Sequence, residues 1–118
     1  LEHFPIAKTV EVLREWRRVL KPGGALYVGV PDFRVAVELY QKNGMTLWLR
    51  YHLWGDQKHA LNYHYTGFDF GSLAKDLMDA GFRDVKKMDR WPFYVQDGST
   101  TVDTIDGKRI SLNVMALK

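Results

Sequence analysis

The chain contains no cysteine. That excludes a disulfide framework and a thiolate zinc site, and it suits a reducing compartment, so a cytoplasmic location is expected. No apolar run approaches the roughly 18 residues of a membrane helix, and no signal-peptide pattern is visible. There is no internal repeat and no low-complexity segment. No G-x-G-x-x-G or G-x-G-x-G turn occurs, so a Gly-rich nucleotide-binding signature is missing as well. Charge of one sign is scarce: 17 basic and 14 acidic side chains leave a formal net charge of +3. So mild an excess, spread along the chain and without a recognition motif, does not argue for nucleic acid. Neither nucleic acid nor membrane is an expected partner.

What is present fits a single domain over residues 1–118. A chain of this length buries roughly 65% of its unfolded surface. Apolar residues make up 46% and charged residues 26%, an ordinary globular balance. Aromatics reach 14% and concentrate between Trp48 and Phe70, where they form either core or a binding surface. The first residue is Leu1 rather than methionine, as expected of a processed or truncated chain or of one piece of a longer reading frame.

Ile6, Val10, Leu13, Trp16 and Leu20 recur at helical spacing. Glu11 with Arg14, and Glu15 with Arg18, can pair on the wet side. Lys21-Pro22-Gly23-Gly24 ends that helix. Ala25 to Val30, "ALYVGV", reads as a strand apolar on both faces, as a buried parallel strand would be. Pro31 stops it, and Asp32 is a good N-cap for a helix from Phe33 to about Lys42. A short helix is expected over Met45–Trp54, then a His- and Tyr-rich loop. Asp69 caps a further helix, Phe70–Ala80, with Gly81 as its exit. Asp84–Asp89 reads as a short strand and Trp91–Thr100 as irregular. Asp106-Gly107 is a hairpin turn that could join Thr101–Ile105 to a final strand, Arg109–Leu117. In that strand Ile110, Leu112, Val114 and Ala116 alternate with other residues. The order is that of an α/β protein.

At this point the motifs resemble a specific family. "LEHFP", "VLREWRRVLKPGGALYVGVPDF", "TGFDFGSLAKDLMDAGFRDVKKM" and "ISLNVMALK", in that order, are similar to the second half of a class I S-adenosylmethionine-dependent methyltransferase. "GVPDF" and "LWGDQKHALNYHYTGFDF" resemble, more loosely, methyltransferases found with bacterial surface-polysaccharide genes. The resemblance implies a partial Rossmann-like fold. It would be a small mixed sheet of the family's fifth, sixth and seventh strands with flanking helices, lacking the N-terminal cofactor-binding half. It implies S-adenosylmethionine as cofactor and methyl transfer to an unknown acceptor, a saccharide or another small molecule. Leu1, Glu2, His3 and Phe4 would lie beside the methionine part of the cofactor if the N-terminal half were present. The Gly-rich turn that holds the cofactor in the family is absent, so binding by this chain alone is not expected.

The remaining candidates come from side-chain chemistry. Neutral imidazole serves as base or metal ligand near pH 7. His52, His59 and His64 with Asp56 fit no compact zinc spacing, so no metal site is expected. His59 and His64 are the candidate bases, and Asp32, Phe33, Tyr63 and Tyr65 the candidate acceptor contacts. Against these stand plainer readings: Asp32 as a helix cap, the aromatic loop as a cover for the core, and Leu1–Phe4 as a frayed terminus. Arg14, Arg17, Arg18 and Lys21 read as a solvated helix face, and Trp16, Trp48, Trp54 and Trp91 as core or edge cover. In the family the fourth strand lies beside the fifth. Without it Ala25–Val30 becomes an apolar edge, which predicts a homodimer or higher oligomer through that strand. The alternative to an enzyme is therefore a stand-alone, non-catalytic domain that oligomerises through its edge.

Overall fold

The computed structural model describes residues 1–93 and 104–118. A 3₁₀ turn, Ile6–Lys8, leads into α1 (Thr9–Val19). Then follow β1 (Ala25–Pro31), α2 (Phe33–Asn43), α3 (Leu47–Trp54) and α4 (Phe70–Asp79), and next β2 (Arg83–Lys87). A small hairpin, β3 (Thr104–Ile105) with β4 (Lys108–Arg109), precedes the last strand, β5 (Ser111–Leu117). Asp106 and Gly107 form its two-residue turn with φ of 51° and 73°, as a primed hairpin turn requires. Residues 101–103 of the expected partner strand, and residues 94–100 of the irregular stretch, lie outside the described residues.

The main sheet has the order β1-β5-β2. β5 runs antiparallel to both neighbours, with Ala25 opposite Leu117 and Pro31 opposite Ser111. The sheet is antiparallel at every pairing, which corrects the mixed sheet expected. β1 is an edge strand, as the lack of a neighbouring fourth strand predicts, but its one partner is antiparallel rather than parallel. Its half-buried residues face a partner on one side, and among the described residues no strand pairs with its other side. The final strand is also shorter than its alternation suggests. Lys108 and Arg109 belong to the hairpin, and Ile110 links it to β5. Ser111 and Asn113 are buried like Leu112 and Val114, because the central strand of a covered sheet has no wet face.

The core sits between the sheet and helices α1 and α4. Leu13, Leu73, Leu77, Leu112, Val114 and Ala116 have no exposed surface there. Helix α4 is started by a full capping box: Asp69 accepts from Ser72 N at 2.8 Å, and Ser72 Oγ accepts from Asp69 N at 3.1 Å. Its far end is closed by α1. Arg14 donates to Asp79 O at 3.2 Å and Arg17 donates to Gly81 O at 2.9 Å, cations placed where carbonyls are orphaned and the dipole is negative. Arg14 is thus drawn away from Glu11, which pairs with Lys8 instead, while Glu15 and Arg18 pair as expected. After α1 the chain turns at Pro22-Gly23-Gly24, where Lys118 donates from its backbone N–H to Gly24 O and from Nζ to Leu20 O. No helix among the described residues is long and apolar enough to cross a membrane.

Candidate functional site

Helices α2 and α3 and the loop after them cover the carboxyl end of β1. Thr46 caps α3 by accepting from Leu49 N at 3.1 Å. Gly55 closes α3 with φ of 75°, and a Cβ there would stand 2.1 Å from Asn62 O. Only glycine allows the loop to fold back so closely. The loop is then tied by its own groups. Gln57 N donates to Asn62 O at 3.2 Å, Asn62 N to His59 O at 2.9 Å, and Asn62 Nδ2 to the Asp56 carboxylate. His64 N donates to Trp54 O, which carries the His64 ring back against α3.

The result is a cavity of about 560 Å³. Glu2 and His3 line it from the first segment and Gly29 to Pro31 from the end of β1. Trp48, Tyr51 and His52 close it from α3, and Asp56, Asn62 and His64 from the loop. The first segment is not frayed. Tyr65 N donates to Glu2 O at 2.8 Å, Phe4 N to Leu1 O at 3.1 Å, and Leu1 packs on the core.

Three histidines meet here. The rings of His3 and His64 stand edge to face with centroids 4.8 Å apart. His3 Nδ1 lies 3.2 Å from Tyr63 O and His64 Nδ1 lies 3.1 Å from His52 O. A carbonyl only accepts, so each Nδ1 carries the proton and donates it, and each Nε2 keeps a lone pair when the ring is neutral. His52 is buried, stacks on Trp48 at 4.8 Å, and its Nε2 has no hydrogen-bond partner. Burial is the main cause that pushes its pKa down to about 4; His64 adds to the effect, and the Asp32 and Glu2 carboxylates oppose it. Burial likewise lowers His64, against the pull of Glu2. Burial alone would raise the Glu2 carboxyl. The ammonium of Leu1, its own backbone N–H and His3 together hold it below the usual range.

The other expected residues lie apart from this cavity. His59 sits exposed at the loop tip. Tyr63 and Tyr65 are exposed, with rings 6.5 Å apart. Asp32 is buried and occupied. Its Oδ1 accepts from Arg34 N at 3.1 Å and Val35 N at 3.4 Å, and its Oδ2 lies 3.2 Å from Lys87 Nζ. Those contacts are those of a helix cap with a paired charge. Phe33 lines a separate apolar groove with Tyr40, Met45 and Trp54. Phe4 is exposed outside both. His52 was named among the histidines but not as a site residue, and its apolar neighbours hide it: a histidine within "LWLRYHLW" reads as core.

Compared with known proteins, the chain matches no family model, no curated protein and no solved structure.

Proposed function

We propose that the chain forms the carboxyl-terminal part of an S-adenosylmethionine-dependent methyltransferase with a partial Rossmann-like fold, acting on a small hydroxylated acceptor such as a saccharide. One observation carries this reading. Glu2 and His3, from the segment that the resemblance assigns to the methionine part of the cofactor, line a cavity at the carboxyl end of β1 together with His64. Ligands of open α/β sheets bind at that end of the strands. In methyl transfer the acceptor oxygen attacks the sulfonium methyl. An O–C bond forms, the C–S bond breaks with its electrons going to sulfur, and the acceptor proton passes to a base. The leaving group is already good, so the protein contributes mainly alignment and a base. Of the two candidate bases, His64 stands in the cavity, and its Nε2 is the nitrogen left to take a proton. His59 stands outside it. Tyr63 and Tyr65 flank His64 in sequence but do not line the cavity, so the reading gives them no contact with the acceptor there.

Calorimetric titration of S-adenosylmethionine into the 118-residue chain tests the reading. Saturable binding supports a cofactor site in this chain, and loss of that binding in Glu2→Ala locates it. No binding favours a second reading, which rests on the side of β1 that is unpaired among the described residues. In that reading the chain is a non-catalytic domain, and Ala25–Val30 pairs with a second copy. Light scattering separates the two, because a dilute, folded monomer rules the second one out.

A further inference from the structure

We propose that Glu2, His3 and His64 form a binding site for one divalent first-row transition ion. A ligating atom of each lies within 4.8 Å of the others. Three features make this more than proximity. First, both rings are held in one tautomer. His3 Nδ1 donates to Tyr63 O and His64 Nδ1 donates to His52 O, which leaves Nε2 of each ring to coordinate. A backbone carbonyl on the far nitrogen is the usual support of a metal-bound histidine. Second, a carboxylate faces one of those nitrogens. The Glu2 carboxylate stands 3.6 Å from His3 Nε2. Its other oxygen lies 3.0 Å from the Leu1 ammonium, a contact that an ion at the site would replace. Third, the cluster lines a cavity of about 560 Å³, so an ion there keeps open positions for water or an acceptor oxygen.

Two imidazoles and one carboxylate suit zinc or iron(II), manganese(II) and their neighbours, not the harder magnesium and calcium. Bonds of about 2.1 Å place tetrahedral ligands about 3.4 Å apart. The three groups, up to 4.8 Å apart, therefore close by up to about 1.4 Å on binding. The site does not rest on the methyl-transfer reading. Where both hold, His64 is a ligand rather than the base, and an ion-bound acceptor hydroxyl would release its proton to water.

The test is titration of the untagged 118-residue chain with Zn²⁺ by calorimetry and with Co²⁺ by visible absorption, without S-adenosylmethionine. One ion per chain and the absorption bands of nitrogen-ligated cobalt are expected. His3→Ala and His64→Ala should each weaken binding by roughly tenfold or more, with circular dichroism confirming that each variant is folded. His59→Ala, at the exposed loop tip, should bind as the parent does. His3 is exposed, so its variant keeps the test decisive if His64→Ala fails to fold. Absence of binding at about a hundred micromolar metal, or unchanged affinity in folded His3→Ala, overturns the proposal.

Discussion

The two sides of the molecule use the same kinds of residue to different ends. Where α1 and α4 cover the sheet, apolar side chains are sealed and polar ends are answered: the Arg14 and Arg17 guanidiniums cap α4 and the Asp69 box starts it. Where α2, α3 and the loop cover the end of β1, large apolar side chains stay open, among them Leu47, Trp54 and Leu61. A buried polar atom without a hydrogen bond occurs on both sides, Thr9 Oγ1 on α1 and His52 Nε2 on α3. A folded chain tolerates a buried polar atom without a partner at a cost of about 1–3 kcal/mol. Since that cost falls on both sides, what sets the second apart is its cavity, and that is why the candidate site lies there.

The sharpest way to break that comparison is to cut into each side equally. Leu77 and Leu49 are both buried leucines, but Leu77 lies in the main cluster and Leu49 outside it. Leu77→Ala should cost about 3–4 kcal/mol in urea unfolding, from lost transfer energy plus a cavity that α1, α4 and β5 cannot close. Leu49→Ala should cost less, since an open groove beside it allows its neighbours to settle. Equal losses would mean that the two sides are packed alike.

Much of the first side was legible in the sequence. Helical spacing, the Asp69 cap, the Pro-Gly-Gly exit and the Asp106-Gly107 turn are local signals, and the elements they mark were found within a few residues. The pairing of β1 was not legible. An apolar run on both faces fits a buried parallel strand, and it fits equally well an antiparallel strand beside a covered centre. The site was legible only in part. Glu2, His3 and His64 were each named, two through the resemblance and one through its chemistry, but nothing in their spacing brings positions 3 and 64 together. That contact depends on a loop folding back at Gly55 and on a carbonyl of α3. The same holds for Arg14 and Arg17, whose partners lie more than sixty residues away.

Acid should act on the second side first. His52 has a folded pKa of about 4, below the roughly 6.5 of an unfolded histidine. Between those values the unfolded chain binds a proton that the native chain refuses. Stability is therefore full above about pH 6.5 and falls as pH drops towards 4, by roughly 3 kcal/mol in all. Denaturant midpoints measured across that window in chelator should show the fall. His52→Phe, which keeps a ring against Trp48, should flatten it. A slope that survives His52→Phe would assign the acid sensitivity to other groups.

A smaller effect separates backbone conformation from contact. Gly44 and Gly55 both end helices with similar positive φ, 69° and 75°. Around Gly44 nothing lies within 4 Å of an added Cβ, whereas at Gly55 the Asn62 carbonyl oxygen lies at 2.1 Å. At φ 69°, ψ −167° Gly44 occupies a region that side chains essentially do not enter, so Gly44→Ala should cost about 1–2 kcal/mol. Gly55→Ala meets the same strain and adds a clash with backbone, which the loop relieves only by moving away from α3, for a total of about 2–3 kcal/mol. That movement also carries His64 off the His52 carbonyl. The His64 ring signal in an NMR spectrum should shift in Gly55→Ala and stay in place in Gly44→Ala. Should both variants leave it unmoved, the ring is held by its own packing, and the fold of the loop at Gly55 is not what delivers it to the cavity.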